Sequence, residues 1–459
     1  MSTTTESATY KKARRHYLKT RQHPETETGD LTAFRAQEKK YKSRFPPPQL
    51  DNVFDPRAWE DTPVDLGGGW SKGGNSLSGI TVSGMDLQEL GDRSVAGKAY
   101  SISSHPGLIV LPGFLTDNEQ RSLIRSCLAS QARAPNETNL DVHYEIPPSG
   151  LWQHWLETQP LHASPSCPKV QTRAKAVPGS GFRASPIPPP DNSKRILIDN
   201  PAGDQLTPNH VELPPAAPSP SLVPLTPAQL LPKLRWANIG RSYHWGSKAY
   251  DFSKELAPFP DDVKNFCQSA VRSVPWDVIW GESVQSLGTI REDWGAEGPD
   301  SWKTWSETFE PDAGIVNFYQ IKVPALSYHN FLRTCMTIRP TLQDTLMGHV
   351  DRSEISSTTP LVSISLGNAA IFLIGGVTRD VEPLPIILRS GDVVIMSGPG
   401  CRRAYHGVPR ILEGTLPTHL DNSNSEDPGW EPFATYLQTT RINVNVRQVF
   451  PYGYIPGLS

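Results

Sequence analysis

The chain has 459 residues, enough for one large domain or two, but 45 prolines and a hydrophobic fraction of 37% place much of it outside any core. A net charge of −3 gives no overall pull toward nucleic acid, although residues 1–50 carry 11 Lys/Arg against 5 Asp/Glu, a net of +6 that leaves −9 for the remainder. Five scattered cysteines (Cys127, Cys167, Cys267, Cys335, Cys401) without CxxC spacing argue against a disulfide framework or structural zinc site, and no apolar run approaches the ~18 residues of a membrane span.

Residues 1–100 read as a basic N-terminal extension, mostly disordered, with Pro46-Pro47-Pro48 and Gly67-Gly68-Gly69 runs and one short charged helix over Leu31 to Lys42. Such a segment is either a phosphate-binding arm or a solvated tail. No signal-peptide core is present. The Ser/Thr and Lys/Arg content, with Glu6 the one acid before Glu25, resembles a mitochondrial presequence. An intracellular location is expected, nucleus or cytoplasm first and mitochondrion second.

Residues 101–158 begin the structured part. Leu108-Ile109-Val110-Leu111 reads as a buried strand broken by Pro112-Gly113. Thr116 and Glu119 then form a capping box for a helix with Leu123, Ile124, Cys127 and Leu128 on one face. Residues 159–232 hold 17 prolines and no periodic apolar pattern, as expected of a linker or insertion. From 233 to 459 the chain is rich first in tryptophan, then in short strands. Those expected are Pro360 to Leu366, Ala369 to Ile374, Pro385 to Arg389, Val393 to Ser397, Ala434 to Thr439 and Ile442 to Val446, which together indicate a sandwich or barrel. The stretch Trp276 to Trp305 reads as a surface elaboration covering the barrel.

The chemistry begins at His349-Val350-Asp351. On a strand, His349 and Asp351 project to one face. His406 follows 55 residues later, after strands able to bring it alongside. Two imidazoles and a carboxylate with open positions opposite form the facial triad of non-haem iron oxygenases, although an HxD tripeptide alone is common. Near the C-terminus, Arg441, Asn443, Asn445 and Arg447 alternate with Ile442, Val444 and Val446. The pattern fits an amphipathic strand with a solvated face. It also fits a strand lining a barrel interior, where a guanidinium binds a dicarboxylate through paired hydrogen bonds. Asn317 and Tyr319 share a face of another strand and point to the same ligand.

Taken together, Asn317-Phe318-Tyr319, His349-Val350-Asp351, His406 and Arg441-x-Asn443-x-x-x-Arg447 resemble the AlkB family. The wording of Gly348 to Glu354, Ala370 to Gly376, Ser390 to Gly398 and Arg441 to Val449 is similar to its AlkB homologue 1 branch. The resemblance covers about 106–157 and 234–450, with a weaker echo in 30–60. It implies a mainly β fold, a double-stranded β-helix (jelly roll) with flanking helices, and Fe(II) held by His349, Asp351 and His406 as the catalytic centre. It further implies that 2-oxoglutarate is bound by Arg441, Tyr319, Asn317 and Asn443, with Arg447 supporting the near end. With O2, the implied reaction removes methyl groups from N-methylated bases of tRNA or DNA, releasing formaldehyde, succinate and CO2. Arg379 matches a substrate-contacting position of the family. Leu234 to Tyr250 resembles its nucleotide-recognition lid, in which Arg241 stands where some members stack a tryptophan. There Trp236, Tyr243, Trp245 or Tyr250 stacks on an unpaired base or packs the lid. No membrane and no obligate protein partner are implied.

One departure stands out. Twenty-nine residues separate Tyr319 from His349, where the family has a short hairpin. The excess is Val323 to Gln343, which reads as a retained intron, since Val codons begin GT and Gln can be CAG. The competing functions are a 2-oxoglutarate oxygenase acting on protein and a non-catalytic nucleic-acid-binding protein of the same fold.

Overall fold

A computed structural model describes residues 15, 31–43, 46–58, 81–88, 97–161, 164–173, 218, 221–245, 248–281, 294, 297–322, 342–351, 353–422 and 427–454. Apart from residue 15, the expected extension up to residue 30 lies outside the described residues, as do most of the Pro-rich 159–232 segment and residues 323–341 of the suspected insertion.

Fifteen strands are described: β1 Val82–Asp86, β2 Lys98–Ile102, β3 Leu108–Leu111, β4 Trp236–Gly240, β5 Tyr243–His244, β6 Ala249–Tyr250, β7 Ala313–Lys322, β8 Leu342–Gln343, β9 Leu346–His349, β10 Leu361–Gly367, β11 Ala370–Ile374, β12 Leu384–Leu388, β13 Val393–Met396, β14 His406–Ile411 and β15 Thr440–Arg447. They form a major antiparallel sheet, ordered β1-β2-β3-β13-β10-β15-β7-β4 with β8 on β7, and a minor sheet ordered β12-β11-β14-β9. The β5–β6 hairpin stands apart. This is the two-sheet jelly roll with flanking helices.

The apolar runs explain the layering. In β11, Ala370, Phe372 and Ile374 join an inter-sheet core with Ile386, Leu388, Val394 and Tyr319. Ile371 and Leu373 point the other way, against Phe34, Tyr41, Leu50 and Val53. A strand buried on both faces loses its polar alternation, which is why Ala-Ile-Phe-Leu-Ile is continuously apolar. The outer cover comes from the N-terminal region, read from sequence as lying mostly outside the core. Its helix Ala33–Lys42 packs on β9 and β14. Phe54 forms a parallel bridge with Ile386 at the β12 edge, and Arg389 makes a bidentate pair with Asp55 at 2.7 and 2.8 Å.

The capping box of Thr116 and Glu119 is formed at the start of the helix Asp117–Arg125. Two expectations are corrected. Ala434 to Thr439 is not a strand: Glu431–Leu437 is a helix with proline in its first turn, and Phe433, Tyr436 and Leu437 are buried at i, i+3, i+4 spacing. A short apolar run leaves helix and strand undecided. The Trp-rich stretch is core rather than surface. Trp276, Trp280, Trp294, Trp302 and Trp305 are buried, and Trp280 Nε1 donates to Ser397 Oγ at 3.3 Å. Among the described residues no helix is long and apolar enough to cross a membrane.

Candidate metal and dicarboxylate site

His349 ends β9 and His406 begins β14, and the two face each other in register. Asp351 lies just beyond the strand rather than on it. Gly407 lets β14 bulge toward β9, because a Cβ there would meet Leu346 O at 2.9 Å and Gly348 N at 3.1 Å. Ligand atoms of His349, Asp351 and His406 all lie within 4.8 Å of one another. The His349 and His406 Nε2 atoms are 3.7 and 3.9 Å from the Asp351 carboxylate oxygens. Each Nδ1 faces a backbone carbonyl, Met347 O at 3.0 Å and Ala404 O at 3.1 Å. A proton on Nδ1 leaves the Nε2 lone pair free for a metal.

Electrostatics favour that state. Burial, with His349 adding to it, pushes the His406 imidazole down to about 4, against a partial pull from Asp351. Burial would raise Asp351, but the Arg447 guanidinium and the two imidazoles hold it well below the usual carboxylate range. Arg447 Nη2 is 3.2 Å from Asp351 Oδ2, and its Nη1 lies 3.1 Å from Glu354 Oε1. Tyr250 donates to the same Glu354 oxygen at 3.0 Å, and Arg402 Nη2 stands 3.6 Å from Oε2. Sequence reasoning missed Glu354 and Arg402. The available signal was that arginines on a buried strand face need a countercharge.

The anion site lies on the facing sheet. Arg441 and Asn443 of β15 pair in register with Tyr319 and Asn317 of β7. Arg441, Asn443 and Arg447 are buried and Asn317 is half-buried, so the polar face of β15 lines the interior and is not a solvated surface. Arg441 is 1% exposed. It donates to Ser365 Oγ at 2.8 Å and Asn368 O at 3.2 Å, and no carboxylate salt-bridges it among the described residues. Asn443 Nδ2 donates to Ser363 Oγ at 2.8 Å and Ile364 O at 3.0 Å. Tyr319 OH and Arg441 Nε are buried without hydrogen-bond partners among the described residues.

Orphaned buried polar atoms of this kind call for a ligand. The donor set has two imidazoles and a carboxylate for an N/O-binding metal, and a lone buried guanidinium with a phenol for an anion. It fits Fe(II) and 2-oxoglutarate.

Beside this site the lid aromatics form a chain. Trp236 and Trp245 have centroids 5.0 Å apart, Tyr243 meets Trp245 edge-on at 5.1 Å, and Tyr243 meets Tyr250 at 5.4 Å. Tyr250 is buried, whereas Trp245 is 41% exposed. Tyr243 OH is 3.5 Å from Ser353 Oγ. Arg241 is tied to Asp312 at 2.6 Å and lies 4.6 Å over the Phe450 ring. Arg379 donates to Gly348 O at 2.8 Å and lies 4.9 Å over the Tyr405 ring.

A family model described as the 2OG-Fe(II) oxygenase superfamily matches residues 216–447. The chain is 27% identical over 395 residues to "Nucleic acid dioxygenase ALKBH1" of Mus musculus, covering 82% of this chain and 73% of that protein. It is 28% identical over 443 residues to "DNA N(6)-methyladenine demethylase ALKBH1A" of Arabidopsis thaliana, covering 93% and 98%. To "tRNA demethylase abh1" of Schizosaccharomyces pombe it is 26% identical over 426 residues, covering 91% and 96%.

Proposed function

Because the chain belongs to the 2OG-Fe(II) oxygenase superfamily, we propose that it oxidatively demethylates N-methylated bases in tRNA or DNA. The observation that carries the reading is the buried Arg441 guanidinium, without a carboxylate partner among the described residues, facing the same interior as the His349, Asp351 and His406 ligand set. The nucleic-acid substrate class rests on the relatives' named activities and on the aromatic lid beside the site.

In this reading His349, Asp351 and His406 hold Fe(II) through two Nε2 atoms and a carboxylate. Arg441, with the Tyr319 hydroxyl, takes the far carboxylate of 2-oxoglutarate. Asn317 and Asn443 flank it, and Arg447 supports the near end while neutralising Asp351. Fe(II), 2-oxoglutarate and O2 bound there would supply an oxidation that hydroxylates an N-methyl group while 2-oxoglutarate becomes succinate and CO2, and the hemiaminal would break down to formaldehyde and the demethylated base. The apolar inter-sheet wall of Phe372, Ile374 and Leu388 excludes water from the interior. Trp245, exposed and backed by Trp236 and Tyr243, offers a flipped base a stacking face. Arg379 completes the set of candidate substrate residues.

The test is formaldehyde release from methylated tRNA and methylated single-stranded DNA, with a His349→Ala control. Release that requires His349 and one polymer supports the reading and names the substrate class. Consumption of 2-oxoglutarate without formaldehyde from either polymer would move the assignment to a protein substrate. No consumption at all would leave a non-catalytic binding role.

A further inference from the structure

The metal ligand His349 sits on the edge strand of the minor sheet, since β9 pairs with β14 in that sheet and with no strand beyond it among the described residues. It is also the more exposed imidazole, its side chain 34% accessible against 6% for His406. An edge strand has free peptide groups and nothing in the ladder to fix them. Here those of Gly348 are taken by side chains. Its N–H donates to Glu38 Oε1 at 2.5 Å, and its carbonyl accepts from Arg379 Nη2 at 2.8 Å.

The two side chains belong to one assembly. Glu38 is buried, with its other oxygen bonded to Arg35 Nη1 at 2.8 Å. The carbonyl of Arg379 accepts from Phe34 N at 2.9 Å. Gly348 has to be glycine for this: a Cβ there would overlap the Phe34 ring, which also limits Gly375, where a Cβ would stand 2.9 Å from that ring. The bond to Glu38 reaches the metal ligand by a short route. The N–H it accepts belongs to the peptide whose carbonyl, Met347 O, faces His349 Nδ1 at 3.0 Å.

We propose that Glu38, on the N-terminal helix, is a positioning residue for His349, acting through the Met347–Gly348 peptide, with Arg379 holding the following peptide from the opposite end. This rests on the reading of His349 as a metal ligand. A buried carboxylate on the N–H end of a peptide polarises it and makes its carbonyl a stronger acceptor. That carbonyl holds the Nδ1–H tautomer and fixes the ring plane, so Nε2 presents its lone pair to the metal. His406 makes the equivalent bond to Ala404 O from a fully buried position paired on both sides, by β9 and β11. It needs no clamp. The basic helix preceding the catalytic region is thereby part of the metal centre.

The experiment is titration of the full chain with Co(II), which N/O sites bind more tightly than Fe(II), following the Co(II) absorption spectrum and melting temperature together. Glu38→Ala should raise the Co(II) dissociation constant by about tenfold, the low end of the effect of losing an outer-shell partner, because the Met347 O bond to His349 Nδ1 stays but loses its support. Glu38→Gln keeps an acceptor and loses the charge, so it should weaken binding severalfold, less than Glu38→Ala. Arg379→Met should also weaken it. Dissociation constants and spectra equal to the parent in folded Glu38→Ala or Glu38→Gln protein would overturn the proposal, whatever the melting temperature does. Should Glu38→Ala not fold, Glu38→Gln decides alone. His349→Ala separates the two readings: parent-like Co(II) binding in that variant would overturn the metal assignment itself.

Discussion

Replacing Arg441 by methionine should weaken 2-oxoglutarate binding by at least about 30-fold while leaving the free protein close to its original stability. The argument is a balance of two terms. Burial lowers the guanidinium from 12.5 to about 10, and a base whose pKa falls on folding opposes folding at every pH below the folded value. At neutral pH that opposition is on the order of 3 kcal/mol. Against it stand donations to Ser365 Oγ at 2.8 Å, Asn368 O at 3.2 Å and Leu388 O at 3.5 Å, roughly 1 kcal/mol each net. The terms nearly cancel, so the ligand-free melting point should move by no more than about 5 °C. With the dicarboxylate present the sign is no longer balanced. Losing one partner of a buried charged pair costs about 2–5 kcal/mol, which is roughly 30-fold to several-thousand-fold in affinity. Calorimetric titration of Co(II)-loaded protein with 2-oxoglutarate measures this directly. Arg441→Lys should fall between, keeping charge without the fork. An unchanged 2-oxoglutarate dissociation constant would refute the anion-site assignment. A collapse of the ligand-free protein would show that Arg441 is a structural strut.

Three further outcomes are expected. His406 is lowered from 6.5 to about 4, chiefly by burial. The unfolded chain therefore takes up the proton first, and metal-free stability, full above pH 6.5, should fall by on the order of 3 kcal/mol as pH drops toward 4. Urea denaturation at pH 7 and pH 4.5 should show this in the parent and a smaller loss in His406→Gln, and equal losses would contradict it. Arg447→Met removes the guanidinium shared by the half-buried Asp351 and the buried Glu354. It should destabilise by about 3–5 kcal/mol in urea, with part recovered by adding Glu354→Gln. Deleting residues 323–343 should leave a folded chain that binds Co(II) at least as well as the parent. The flanks already meet, with Asp344 N donating to Gln320 O at 3.0 Å. After deletion those residues stand three apart, the spacing of a hairpin-turn hydrogen bond. Loss of metal binding on deletion would show the segment to be needed, and its presence in most transcripts would sink the retained-intron reading.

The parts of the site legible in the sequence were those carried by strand alternation. Arg441, Asn443 and Arg447 on one face of a strand follow from a period of two, whereas Asp351 reaches the site from just past the end of β9 and not by alternation along it. The register of β15 with β7 then sets Arg441 beside Tyr319 and Asn443 beside Asn317. The jelly roll was legible for the same reason, through short apolar strands separated by Gly or Pro turns. What was not legible lacks local periodicity. Glu354 sits in an irregular segment after Asp351, and its partners Tyr250, Arg402 and Arg447 come from distant parts of the chain. Glu431–Leu437 carries too few residues to distinguish a helical from an extended period.

The N-terminal helix was legible as a helix over Leu31 to Lys42 but not in its packing, and the reason bears on how the metal centre is built. Its composition is that of a solvated segment, with Lys39, Lys40 and Lys42 exposed and only Phe34, Glu38 and Tyr41 buried. Yet the strands it covers could not have been buried on one side alone: Ile371, Leu373 and Ile387 face away from the inter-sheet core and pack against an apolar layer that Tyr405 and Leu412 supply only in part, the rest coming from Phe34, Tyr41, Leu50 and Val53. The unbroken apolar runs of β11 and β12 were thus a sign, present in the sequence, that another layer lay outside the minor sheet. The metal strand lies at that sheet's edge, so whatever supplied the layer would also border His349. A helix whose buried face includes a carboxylate among aromatic side chains meets both needs, covering the sheet with Phe34 and Tyr41 and engaging the Gly348 peptide with Glu38.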